Sequence, residues 1–189
     1  ATISQVGNNL ISDVNSNGYR NSADATQTGK NQLSEIDQDG WKNHAHNTQS
    51  GAGNKSFITQ VSGAFTYGND AFTKQHGKNL YSTVYQNGSE NLSTVDQYDK
   101  DHKTTVSQMG KGNTSDVDQW GRFKNTSTVS QNGYKNTSGV DQGDGSNTSM
   151  VDQEGKYNDS YVEQGKYGIN NSDVRQKGNY NGSDVYQEA

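Results

Sequence analysis

A glutamine returns at a fixed interval along the whole chain. It stands at positions 5, 27, 38, 49, 60, 75, 86, 97, 108, 119, 131, 142, 153, 164, 176 and 187, and Ser16 fills the one slot it leaves. The step is eleven residues, apart from a longer one between Gln60 and Gln75 and two of twelve, after Gln119 and Gln164. Seventeen short units result. A period this short dictates architecture, because one unit cannot bury a face alone and neighbours must stack to do it.

Inside each unit the chemistry alternates. In Asn125–Gln131 the residues Asn125, Ser127, Val129 and Gln131 stand two apart, and Asn136, Ser138, Val140 and Gln142 repeat them after a turn through Gly133. A two-residue period is that of a β-strand, so these four share one face. The position two before the Gln is Val or Ile in fourteen units: Ile3, Val14, Ile36, Ile58, Val84, Val95, Val106, Val117, Val129, Val140, Val151, Val162, Val174 and Val185. These form the expected core stripe, and the position four before the Gln is small throughout. The exceptions in the stripe, Ala25, Asn47 and Thr73, all precede residue 75. Six before the Gln, Asn dominates. The pairs Asn43–Gln49, Asn113–Gln119, Asn125–Gln131, Asn136–Gln142, Asn147–Gln153, Asn158–Gln164 and Asn181–Gln187 are expected to stack on their equivalents as amide ladders. Two after the Gln, turn glycines recur at Gly40, Gly88, Gly110, Gly121, Gly133, Gly155 and Gly178.

An inner face fixed in small, β-branched and amide residues implies a narrow interior. The pattern predicts an all-β solenoid of about 22 residues per coil, two strands facing each other, with coils stacked about 4.8 Å apart. The seventeen units make one repeat domain over residues 1–189, whose longest irregular arc falls at 61–74 around Phe65-Thr66-Tyr67. A mean hydropathy of −1.17 and 26% hydrophobic residues would by themselves indicate disorder. A solvating tail has no reason to hold Val in register, so the period outweighs them. The absence of Pro suits a chain that is nearly all strand.

Several functions are disfavoured. The net charge of −5 argues against nucleic acid as a partner. No apolar run reaches membrane-spanning length. Without Cys there is neither a disulfide framework nor a thiolate metal site. His44 and His46 share the outer face, but two ligands make a poor metal site, so no metal or cofactor is expected. No Ser, His or Asp departs from the repeat as a catalytic cluster would, so no enzyme is expected. One row on the outer face stands out. Asp96, Asp118, Asp141 and Glu163 precede the Gln in alternate units, which would stack them on one sheet as like charges and make them a candidate brake on assembly.

The repeats start in register at Ala1 and Ile3 and stay regular through Asn181–Gln187, which reads as a processed chain with uncapped ends that recruit further strands. The unit resembles the curlin repeat of bacterial curli fibres, S-x5-Q-x-G-x2-N-x5-Q. Gln38, Gly40, Asn43 and Gln49 match its second half, as do Gln131, Gly133, Asn136 and Gln142. The resemblance implies an extracellular functional amyloid of biofilm matrix and adhesion, a homopolymer displayed on the cell surface. It also implies a nucleator subunit and an outer-membrane secretion pore as partners. The regular close at Glu188-Ala189 favours the main fibre subunit over the nucleator. The alternative is a capped, monomeric solenoid: an adhesin, a phage fibre or an ice binder. The ice binder fits worst, because Thr104, Thr105, Thr126 and Thr128 lie scattered among charges.

Overall fold

The computed structural model describes residues 1–64, 66–165 and 168–188. Phe65 of the long arc and the terminal Ala189 thus lie outside the described residues. Fifteen parallel strands account for most of the rest. The first two, β1 (Thr2–Tyr19) and β2 (Ser22–Trp41), each run through two repeat units. The others hold one unit each: β3 (His44–Ala52), β4 (Lys55–Val61), β5 (Asp70–Lys78), β6 (Tyr81–Ser89), β7 (Leu92–Lys100), β8 (Lys103–Lys111) and β9 (Thr114–Gln119). They continue with β10 (Thr126–Tyr134), β11 (Thr137–Gln142), β12 (Thr148–Lys156), β13 (Asp159–Gly165), β14 (Asn171–Asn179) and β15 (Gly182–Glu188).

The chain coils as a β-solenoid. Each strand pairs in parallel with the strand two units away, in full register. Val129 lies between Val106 and Val151, and Gln131 between Gln108 and Gln153. Even-numbered strands stack up to β14 and odd-numbered ones up to β15. The two faces are not separate sheets. They join through β2, whose first half pairs with β3 and whose second half pairs with β4, so one hydrogen-bonded ribbon of fifteen strands results. The backbone passes this corner at Asn31 with φ 54°.

The alternation sets which side chains go inward. Along β10, Ser127, Val129 and Gln131 are buried while Thr126, Thr128 and Ser130 are half-exposed. The core is a narrow stack of aliphatics from Ala23 to Val174 between the two faces. Fully burying one Val contributes about 1.5–3 kcal/mol. Ile3 departs from the expected stripe: it lies on β1, whose outer edge is unpaired, and is 48% exposed. Val14 and Val185 are only partly buried, also on strands at the ends of the stack. Ala25, Asn47 and Thr73 are buried and follow one another up the same face. Ile36 and Ile58 stand at the same position in the next strand segments of those coils, so the larger side chain accompanies the smaller or polar one.

The arcs have a common geometry. At Gly133 φ is +134°, and a Cβ there would sit 1.9 Å from the carbonyl oxygen of Gly155, so only Gly can hold the position. Two residues on, the chain takes the left-handed region at Arg20, Lys42, Glu90, Lys135, Tyr157 and Tyr180 among others. The longest break between strands runs from β4 to β5, where Thr66 Oγ1 donates to the Gly63 carbonyl at 2.8 Å and Lys42 Nζ sits 4.9 Å from the Tyr67 ring centre.

Candidate functional site: amide ladders and a carboxylate row

Parallel register places every inward Gln directly over another. On the odd-numbered face Gln5, Gln27, Gln49, Gln75, Gln97, Gln119, Gln142, Gln164 and Gln187 form one unbroken series. Each Nε2 donates to the Oε1 of the next at 2.7–2.9 Å. On the other face Gln38, Gln60, Gln86, Gln108, Gln131, Gln153 and Gln176 do the same at 2.7–2.9 Å. Ser16 takes the missing rung by donating to Gln38 Oε1 at 3.3 Å. The second Nε2 proton goes to a carbonyl of the preceding strand segment, as from Gln131 to Thr114 and from Gln142 to Thr126. Both protons and the oxygen of an interior Gln are therefore used, which removes the cost of burying an amide. All donors point toward the C-terminal coils, so the ladder has a direction.

The Asn residues stack differently. Asn91 Oδ1 accepts the backbone N–H of Asn113 at 3.1 Å, and Asn113 Oδ1 that of Asn136 at 3.0 Å. The Nδ2 groups donate to arc carbonyls: Asn136 to Gly155 at 3.1 Å and Asn158 to Gly178 at 3.0 Å. The Gln rungs join side chain to side chain, whereas the Asn rungs pin each arc to the one above it. Asn43 and Asn181 take part in the same series. In the other series Asn147 N–H bonds Asn125 Oδ1 at 3.1 Å. That second series includes Leu80 and His102, both buried, in place of Asn. The turn glycines Gly40, Gly88, Gly110, Gly121, Gly133, Gly155 and Gly178 all have φ between +104° and +134°.

The outer faces carry the charge. Asp96, Asp118, Asp141 and Glu163 lie directly one over another on the odd-numbered strands, with Lys74 below Asp96. Partial burial, then the neighbouring Asp116, Asp96 and Asp141, push Asp118 up to about 6. Burial also raises Asp96, which Lys74 partly offsets. Asp141 is raised by burial too, against the pull of the Tyr161 hydroxyl, which donates to its Oδ2 at 3.3 Å. His44 and His46 stand two apart on β3; His44 Nδ1 lies 3.8 Å from Asp70 Oδ1, and His46 Nε2 is hydrogen-bonded to Thr48 Oγ1 at 3.0 Å. No three metal-ligating side chains cluster among the described residues.

Aromatic side chains stack along one edge. The arcs that follow the even-numbered face bring Tyr19 beside Trp41 (5.0 Å between ring centres) and Tyr134, Tyr157 and Tyr180 into one column at 5.4 and 4.9 Å. Arg122-Phe123-Lys124 falls on the other edge, after β9.

Residues 68–98 match the family model described as the curlin associated repeat. This stretch is a curlin repeat. The matched stretch runs from the arc before β5 to Tyr98 in β7, and so holds the rungs Gln75, Gln86 and Gln97. The other coils stack on this stretch in the register given above. No curated protein matches the chain. Among the described residues no helix is long and apolar enough to cross a membrane.

Proposed function

We propose that this curlin-repeat chain is the structural subunit of an extracellular, curli-like amyloid fibre, built by copies adding end to end and serving biofilm cohesion and adhesion. The observation that carries the reading is the match of the end strands to the interior ones. β14 and β15 present Val174, Gln176, Val185 and Gln187, and β1 presents Ile3, Gln5, Val14 and Ser16, in the same inward positions that pair between coils. A strand of a second copy laid on either edge meets the residue types it would meet inside one chain. Gln176 Nε2 donates once, to the Asp159 carbonyl, and Gln5 Oε1 is the acceptor end of its series, so the amide ladder can continue across the junction. The curlin repeat makes a fibre protein the expected class, and a nucleator subunit and a secretion pore are its expected partners.

Within this reading the carboxylate row slows addition, because a growing stack must hold Asp96, Asp118, Asp141 and Glu163 over one another. Purified protein incubated at neutral pH should form thioflavin-positive filaments whose sonicated fragments abolish the lag, and elongation should be faster at pH 4 than at pH 7. A protein that stays monomeric at high concentration, with its strands intact, would instead be a self-contained adhesin.

A further inference from the structure

His102 is the one titratable side chain in the two columns of arc-pinning residues. It is 1% exposed and occupies the slot that Asn54, Asn125 and Asn147 fill in other coils of its column. The ring copies the amide. Its Nδ1 accepts the backbone N–H of Asn125 at 3.1 Å, as Asn125 Oδ1 accepts that of Asn147 at 3.1 Å one coil on. A backbone N–H can only donate, so Nδ1 carries no proton and the ring proton sits on Nε2. The carbonyls of Tyr98 and Gly121 border the ring, yet Nε2 makes no hydrogen bond. An Asn in this slot stays an acceptor at every pH, whereas an imidazolium is a donor at both nitrogens.

We propose that His102 is an acid-sensitive latch: protonation of its ring turns the acceptor for Asn125 into a donor and opens the arc between β9 and β10, while the coils pinned by Asn stay closed. The inference rests on the coil geometry and holds whether or not the chain forms fibres. The groups around the ring set the range. The Tyr98 carbonyl, then Asp99, which accepts the Gly121 N–H at 3.0 Å, Asp101, which accepts from Asn79 at 3.1 Å, and the Gly121 carbonyl favour the charged ring. Lys103 and Lys124 border the groove beside it, with Tyr81. Burial dominates and lowers the pKa below 6.5. A His held below its unfolded value contributes stability in full above about pH 6.5, and that contribution is lost as pH falls from there toward the folded value. The carboxylate row responds in the opposite sense, since acid relieves its repulsion, so local protection and not overall stability is the informative readout.

The test is a titration of 15N-histidine-labelled protein from pH 7.5 to 4.5 by NMR, with amide exchange over residues 120–126 followed in parallel. The expected result is a ring protonated on Nε2 alone at pH 7.5. On acidification, protonation of His102 and a loss of protection at the Asn125 amide of about tenfold or more should share one midpoint. His102→Asn should keep that protection across the range. A ring protonated on Nδ1 at neutral pH, a His102 titration that leaves Asn125 unchanged, or an equal loss in His102→Asn would overturn the proposal. Should the variant fail to fold, the wild-type titration decides alone.

Discussion

Replacing Gln131 by Leu keeps the side-chain volume close and removes only the polar rung. In the wild type Gln131 is fully buried, donates to Gln153 Oε1 at 2.9 Å and to the Thr114 carbonyl at 2.8 Å, and accepts from Gln108 Nε2 at 2.9 Å. Leu leaves Gln153 Oε1 without the donor below it and deprives the Thr114 carbonyl of one of its bonds. Gln108 Nε2 loses least, because the carbonyls of Leu92 and Asn113 still accept from it at 2.8 and 3.1 Å. An orphaned buried acceptor costs about 1–3 kcal/mol, and the weakened carbonyl adds about 1, so Gln131→Leu should destabilise by about 2–4 kcal/mol despite its added apolar surface. The same exchange at the partly exposed end rung, Gln187→Leu, should cost about 1 kcal/mol or less. Ser130→Ala, outward on the same strand, should fall within about 0.5 kcal/mol of wild type. Denaturant midpoints at matched m-values measure all three. A Gln131→Leu protein as stable as Ser130→Ala would refute the claim that the ladder holds the coils.

Three further outcomes follow from the same geometry. Burial raises the Asp118 pKa from 3.8 to about 6, so its contribution to stability is greatest below pH 4, falls as pH rises through 4 to 6 and is flat above. Solvent screening at this half-buried position reduces the effect to about 1 kcal/mol, and Asp118→Asn should gain that amount at pH 7 and flatten the slope. The Oγ atoms of Ser127, Ser138 and Ser149 are buried without a hydrogen-bond partner, so Ser127→Ala should be neutral or stabilise by up to about 1 kcal/mol in thermal unfolding. Amide exchange should be slower over Val84–Val185, where the aliphatic stripe is unbroken, than over residues 25–75, where Ala25, Asn47 and Thr73 take its place; uniform protection would contradict this.

Much of this architecture is legible in the order of residues because a solenoid's contacts are its own period. Val129, Gln131 and Gly133 each meet their equivalents in the coils below and above, so spacing alone names their neighbours. The parts that escape it depend on three-dimensional direction. Ile3 carries the core pattern but lies on the outermost strand. Nothing in the pattern marks the corner at Asn31, where β2 runs on and unites the two faces. The Asn period implies stacking but not that Oδ1 would seek a backbone N–H. His102 breaks the Asn series in the sequence itself, and that break was the available signal for its role. The aromatic column needed only the parity of the units: arcs two units apart share an edge, which brings Tyr134, Tyr157 and Tyr180 together.

The central claim is that the ladder runs between successive coils of one chain. Solid-state NMR on filaments grown from labelled protein diluted about tenfold into unlabelled protein tests it most directly, reading side-chain contacts between Gln131 and Gln153. A coiled chain keeps those contacts undiminished on dilution, since both residues belong to one molecule. Contacts that fade with dilution, with each Gln131 lying instead against the Gln131 of another copy, would contradict it.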